Sequence, residues 1–331
     1  MVRLSPSAGR RLEQAQGLDV FAGGAELNVA VGASRLGLPA RWISRLPDNP
    51  LGRLIAAHAR EQGVDVTHVE WSADGRAGLY FAESGAAPRP SSVLYDRAGS
   101  AISAIQPGTI DWPRVFQGAT WFHTSGITPA LSQSAALVTS EALAAAKAAG
   151  LTVSYDLNYR SKLWTADRAR IVQEPFMRMV DVLITTEEDA RVVLGMRGAD
   201  PGGADASVDG ASFERVARSL QERYGFSAVA ITLRENPRVW LNTWSAFVLA
   251  GGKRHDGPKY EVEIVDRIGA GDAFAAGLIF SAMTFGGDWN AAVRYGTAFS
   301  ALKHGIPGDF CLSNRDEVEQ VLKGGSLRVQ R

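Results

Sequence analysis

Residues 261–277 read EVEIVDRIGAGDAFAAG, and the change of period inside that stretch decides the fold. Its first half alternates acidic and β-branched residues, the period of a strand; from residue 270 the run is rich in Ala and Phe, the composition of a buried helix. Two glycines, Gly269 and Gly271, stand at the joint. They let the backbone turn tightly and aim its N–H groups outward at a helix N-terminus, where the helix dipole also favours an anion. A phosphate fits such a turn. Asp272 falls in the first helical turn beside it, placed to take the proton of a hydroxyl that attacks a phosphoryl group. Taken alone, Gly269-Ala270-Gly271-Asp272 also describes an ordinary strand-to-helix turn with an acidic first-turn residue.

Outward from this joint the chain repeats the same rhythm. Short β-branched or aromatic runs at 41–45, 120–123, 152–156, 182–185, 228–232, 239–249 and 260–265 alternate with longer helical segments, among them 131–149 and 270–284. That alternation predicts an α/β fold of parallel strands joined by crossover helices. Two stretches, 11–23 and 75–105, break the rhythm. The second holds GLYFAES and SSVLYDRAGS on either side of the turn-forming GAAPRP, the pattern of a hairpin leaving the main sheet. Both segments are expected to form a small β-sheet lid on a single domain spanning 1–331. Residues 196–210 read as a surface loop.

Composition narrows the function classes. Apolar residues make up 46% and charged residues 21% of 331, the profile of a soluble protein that buries a full core. The formal net charge is zero, so there is no basic footprint for nucleic acid and no long-range attraction to a membrane; a bound phosphate must be held locally. The single cysteine, Cys311, allows no internal disulfide, which suits a reducing cytoplasm. Residues 1–14 show no apolar signal-peptide core, and no apolar run reaches membrane-spanning length.

A second glycine-rich stretch, Gly23-Gly24-Ala25-Glu26-Leu27-Asn28, puts a glycine pair and a polar Asn at the mouth of an early helix. It is of the right type to face the 269–272 turn across the carboxyl edge of a sheet, where open α/β folds bind ligands. Together the two stretches resemble the signature regions of the ribokinase-like, or PfkB, family of carbohydrate kinases. The resemblance runs the length of the chain through GGAELNVAV, GLYFAE, YDRAGSA, FHTSGITPALS, SYDLNYRSKLW, VDRIGAGDAFAAG and ALKHGIPGDF. It is nearest to the branch acting on 2-keto-3-deoxygluconate.

What the resemblance implies is a three-layer α/β/α sandwich with a small β-sheet lid and an ATP-dependent phosphotransfer to a hydroxyl of a small sugar acid. Asp272 would be the base, with Gly269, Ala270 and Gly271 forming the anion hole. Gly24 and Asn28 would meet substrate hydroxyls, Tyr80, Tyr95 and Arg97 would come from the lid, Ile127 would pack on the sugar, and Asp309 would close over it. Arg160 would bind the substrate carboxylate, a role that its guanidinium and that of Arg97 suit independently, because the planar fork matches a carboxylate in two parallel hydrogen bonds. ATP would lie against Thr186, Thr232, Arg234, Gly269 and Gly271, with Mg²⁺ reached indirectly through Asp189; the family leaves room for a monovalent cation such as K⁺. A homo-oligomer, dimer or larger, is expected on the same ground. Fructose, 5-dehydro-2-deoxygluconate, ribose, a nucleoside, or a non-catalytic sugar-binding role are the alternatives.

Three departures from the family pattern stand out. Met1-Val2 starts inside what is usually the first core strand, so that strand reads as truncated. Thr186-Glu187-Glu188-Asp189 replaces the usual Asn-x-x-Glu. The nucleotide loop read at Thr232-Leu233-Arg234 lacks the usual glycine. His123 and Cys311 read as structural residues.

Overall fold

The computed structural model describes residues 1–7, 9–196 and 210–324. The loop expected at 196–210 therefore lies almost wholly outside the described residues. In chain order the elements are β1 (Val2–Ser5), β2 (Asp19–Ala22), α1 (Ala25–Arg35), β3 (Arg45–Pro47), α2 (Pro50–Glu61), β4 (Glu70–Ser72), β5 (Leu79–Glu83), β6 (Ser92–Asp96), α3 (Trp112–Val115), β7 (Trp121–Ser125), α4 (Ile127–Ala130) and α5 (Gln133–Ala148). They continue with β8 (Thr152–Asp156), α6 (Ala166–Gln173), β9 (Val182–Thr185), α7 (Glu187–Leu194), α8 (Gly210–Tyr224), β10 (Ala228–Arg238), β11 (Leu241–Ala250), β12 (Lys253–Asp256), β13 (Tyr260–Glu263), α9 (Ala270–Thr284), α10 (Trp289–Lys303) and α11 (Arg315–Leu322).

The main sheet runs β12-β11-β10-β9-β8-β7, with β13 paired to β11. Strands β7 to β10 are parallel, as the alternation predicted, and β11, β12 and β13 form an antiparallel flank. Successive side chains of a strand point to opposite faces, and here each face receives its own core. Val182 and Ile184, Ala228 and Ala230, and Ala246 and Val248 pack with α1, α9 and α10 on one side. Leu183, Val229, Ile231, Phe247 and Leu249 pack with α5 to α8 on the other. Helix, sheet and helix thus make three layers. The first core is rich in Ala because α9 and α10 lie very close: a Cβ on Gly277 would stand 2.9 Å from the Gly296 Cα.

A separate four-stranded sheet has the order β2-β1-β5-β6. The strand at Val2–Ser5, read from sequence as the remnant of a core strand, belongs here: it pairs antiparallel with β2 and parallel with β5. This small sheet therefore draws on 2–5 as well as on the segments 11–23 and 75–105. Two further expectations are corrected. Residues 41–45 make a single bridge, Arg41 to Asp65, and the regular strand starts only at Arg45. The nucleotide loop expected after residue 232 is instead a continuation of β10 to Arg238, so Thr232 and Arg234 stand in the ladder opposite Ala246 and Trp244. The polar, Pro-containing run 233–238 looks like a loop locally, yet its backbone is paired across the hairpin, and the irregularity between Glu235 and Arg238 absorbs it.

Candidate active site

Helix α9 begins at the quoted joint, with bounds equal to those read from sequence. Its N-cap, Gly269, has φ +85°, and a Cβ there would lie 2.0 Å from the Asp309 carbonyl oxygen, so both conformation and space demand glycine. Gly271 is different. A Cβ on it would meet nothing within 4 Å, which leaves the first-turn backbone facing open space where an anion can approach. The first-turn N–H groups have no intrahelical carbonyl to bond; that of Ala270 turns back to the Arg267 carbonyl at 3.3 Å, which leaves those of Gly271 and Asp272 as the natural donors to it.

Asp272 sits half-buried in that turn. Its Oδ2 accepts a 2.7 Å hydrogen bond from Asn28 Nδ2, and Asn28 Oδ1 in turn accepts from the Gly24 N–H at 3.3 Å. The mouths of α1 and α9, 244 residues apart in sequence, are thereby joined through the carboxylate. Burial pushes the Asp272 carboxyl up to about 6, against the opposing pull of the Asn28 hydrogen bond and the positive charge of Arg160. A carboxylate poised there can be both ionised and basic near neutral pH.

Around it lie further acids. Burial lifts Asp189 to about 6, with Arg160 and the Thr186 hydroxyl pulling the other way. Burial, followed by the charges of Asp189 and Asp272, lifts Asp156 to about 8. Thr186 caps α7, its Oγ1 accepting from the Asp189 N–H at 3.0 Å. Arg160 is exposed, donates from Nη1 to the Tyr159 carbonyl, and acts electrostatically on Asp156, Asp189 and Asp272 alike. Among the described residues no set of three or more His, Cys, Asp or Glu side chains is arranged to hold a metal.

The small sheet supplies the opposite wall. Tyr80 and Tyr95 are direct cross-strand partners with ring centroids 5.7 Å apart, and the Arg97 guanidinium stacks over Tyr95 at 4.1 Å. Burial first, and then the charge of Arg160, hold Arg97 below its ordinary pKa, so the two guanidinium groups sense each other. Gly24, Arg97 and Ile127 line one cavity of about 500 Å³, which runs back beneath α1 along β7; Asp272 and Arg160 are not part of its lining. Asp309 faces inward: its carboxylate accepts from the Tyr80 hydroxyl and pairs with Arg3 at 3.2 Å. Asp309, expected over the sugar, makes contacts here that clamp β5 and β1 to the 306–309 turn.

Several residues of the site went unread in the sequence. Glu26 receives the Ser125 N–H, the Ser125 hydroxyl and the Thr128 hydroxyl, fixing the corner that presents Ile127. Asn158 stands at φ +40° with its Oδ1 buried and unpaired among the described residues. Arg3 bridges Asp266 and Asp309. Glu26 and Asn158 sit inside stretches already singled out, GGAE and DLNYR, but nothing local distinguishes them from helix-start or turn residues. Of the two residues read as structural, His123 pairs its Nδ1 with Ser154 Oγ at 2.8 Å and also lines the cavity beneath α1, and the Cys311 thiol is 1% exposed.

The chain matches the family described as pfkB family carbohydrate kinase over residues 2–309. It is 41% identical to a 2-dehydro-3-deoxygalactonokinase of Haloferax volcanii, over 100% of this chain and 96% of that protein. It is 33% identical to a 2-dehydro-3-deoxygluconokinase of Bacillus subtilis, over 86% of this chain and 81% of that protein. The crystal structure of a 2-dehydro-3-deoxygluconokinase from Thermotoga maritima superposes with a TM-score of 0.92 at 43% identity, covering 98% of this chain and 96% of that one.

Proposed function

Because the chain belongs to the pfkB family of carbohydrate kinases, we propose that it transfers the γ-phosphoryl group of ATP to the 6-hydroxyl of a 2-keto-3-deoxy sugar acid. The gluconate form (2-dehydro-3-deoxygluconate) is the reading we favour, and the identity to the Haloferax volcanii enzyme makes the galactonate epimer the second. The observation that carries the acid specificity is the pair of guanidinium groups, Arg97 from the small sheet and Arg160 from the loop after β8, near enough that the charge of Arg160 helps lower the pKa of Arg97. A neutral hexose leaves both without a partner, while a carboxylate between them is paired and hydrogen-bonded.

In this reading Gly24, Asn28 and Ile127 hold the sugar, with Tyr95 and the Tyr80–Asp309 pair closing its outer side. The substrate oxygen attacks the γ-phosphorus, the bond from that phosphorus to the β–γ bridging oxygen breaks, and ADP leaves. The hydroxyl proton passes to Asp272. N–H groups at Gly269 and Gly271, joined by that of Ala270 when it leaves the Arg267 carbonyl, face the charge that develops on the transferred group. Thr186 and the hairpin residues Thr232 and Arg234 flank the nucleotide. Mg²⁺ entering with ATP would neutralise phosphate charge; Asp189 and Asp156 are the carboxylates that would reach its waters, in keeping with an ion that takes one or two carboxylates and the phosphates themselves. The chain would act as one kinase unit in the cytoplasm, in a dimer or larger assembly. Among the described residues, no helix is long and apolar enough to cross a membrane.

An ADP-release assay with 2-keto-3-deoxygluconate, 2-keto-3-deoxygalactonate, 5-dehydro-2-deoxygluconate, fructose and ribose tests this. The sugar acids should dominate in kcat/KM. Turnover of fructose or ribose as efficient as that of the best acid sinks the acid reading, and no turnover of any sugar favours a non-catalytic protein.

A further inference from the structure

Lys303, the last residue of α10, is 0% exposed, a rarity for lysine. Among the described residues its ammonium lies within salt-bridge distance of no carboxylate; Nζ donates instead to two backbone carbonyls, Ile306 at 2.9 Å and Asp266 at 3.3 Å. These two carbonyls open two turns that pack on each other at the anion hole. Asp266 starts the run to Gly269-Ala270-Gly271-Asp272, and Ile306 starts the run to Gly308-Asp309.

The turns are bonded to each other around this point. The Gly308 N–H donates to Asp266 Oδ2 at 3.0 Å, and Gly269 packs directly on the Asp309 carbonyl. The N–H groups of Val265 and Asp266 both donate to the His304 carbonyl, at 2.8 and 3.0 Å. A buried positive charge held by converging carbonyl oxygens has the environment that such oxygens give a partly dehydrated potassium or ammonium ion. Here the ion is covalently attached to the chain.

We propose that the Lys303 ammonium serves as a built-in monovalent cation that ties the 266–272 turn to the 306–309 turn and keeps the anion hole in shape, so that this kinase needs no free potassium. Lys303 is a positioning residue: it touches neither substrate nor phosphate and acts through the carbonyl of Asp266. The inference rests on the phosphotransfer reading, but it makes a separate claim about cation dependence.

The test compares the intact protein with Lys303→Met, which keeps the length of the side chain and removes the charge. Wild-type rates with the best sugar acid should be the same in choline chloride as in KCl, NH₄Cl or NaCl at about 0.15 M, where surface charge effects are equally screened. Lys303→Met should lose roughly 10²-fold in kcat in choline chloride, the scale of losing one preorganised electrostatic contact. KCl and NH₄Cl, but not choline, should restore much of that loss with little change in KM for the sugar.

Strong activation of the wild type by potassium overturns the proposal. So does a folded Lys303→Met that is as fast as wild type, or that is slow and unresponsive to both ions. If the variant does not fold in choline chloride, its refolding yield becomes the readout: recovery in KCl and NH₄Cl alone supports the tethered cation, and equal failure in every salt overturns it. The refolding arm does not depend on which sugar is phosphorylated, so a wrong substrate and a wrong cation role give different results.

Discussion

At the scale of single residues, the proposed reaction rests on Asp272 as the base, with Asn28 tuning it. Asp272→Asn should lower kcat by roughly 10²- to 10⁴-fold, the range for a lost general base, with KM for the sugar little changed. A base works ionised, so with a carboxyl near 6 the value of kcat/KM should rise with pH through about 6 and level off above it. The hydrogen bond from Asn28 favours the charged form. Asn28→Ala should therefore move that acidic limb to higher pH; a limb that stays in place would mean another group sets it. Arg160→Ala should raise KM for the sugar acid far more than KM for ATP, and Arg160→Lys should rescue little, since an ammonium cannot copy the fork. Equal effects on both substrates would argue against a carboxylate contact. Asp272, its glycines and Arg160 were legible because turn geometry and side-chain chemistry are local properties. Asn28 and Asp189 were legible only as types and Asp156 was not read at all, because what lifts the acids' pKa values or joins these residues is burial and approach from distant segments.

At the scale of elements, the helix most central to the site is also the one most tightly packed. Gly277 and Gly296 bring α9 and α10 into backbone contact, and a Cβ on Gly277 would meet both the Gly296 Cα and the Tyr295 carbonyl at 2.9 Å. Backbone cannot yield as a flexible side chain can. Gly277→Val should cost about 1–3 kcal/mol of stability, the usual penalty of overpacking, read as a lower Tm or urea midpoint. An unchanged midpoint would show that the helices separate freely. The bounds of α9 were readable in full because its start is a glycine joint and its body an unbroken apolar run. The end of β10 was not: residues 233–238 are polar, and a strand held by backbone pairing to a hairpin partner needs no apolar signature.

At the scale of the whole molecule, Arg3 ties the small sheet to the 266–272 turn and the 306–309 turn. Its side chain is 5% exposed, with Asp266 at 2.7 Å and Asp309 at 3.2 Å, themselves 10% and 2% exposed. Arg3→Met leaves two buried carboxylates without their cation, a loss on the order of 3–5 kcal/mol in urea unfolding at neutral pH. The loss should shrink in acid, where Asp309, whose carboxyl burial holds above its ordinary range, takes up a proton; a loss independent of pH would point to packing and not to charge. Local period and composition were enough to determine the α/β class and to mark a glycine turn with an acid beside it, since each depends on residues that are neighbours along the chain. Which sheet received Val2–Ser5, how Asp309 came to face Tyr80 and Arg3, and where the Lys303 ammonium found its carbonyls were decided only by the folded chain. Strand pairing and charge burial join residues as far as 306 positions apart, and no local pattern encodes which distant partner will be at hand.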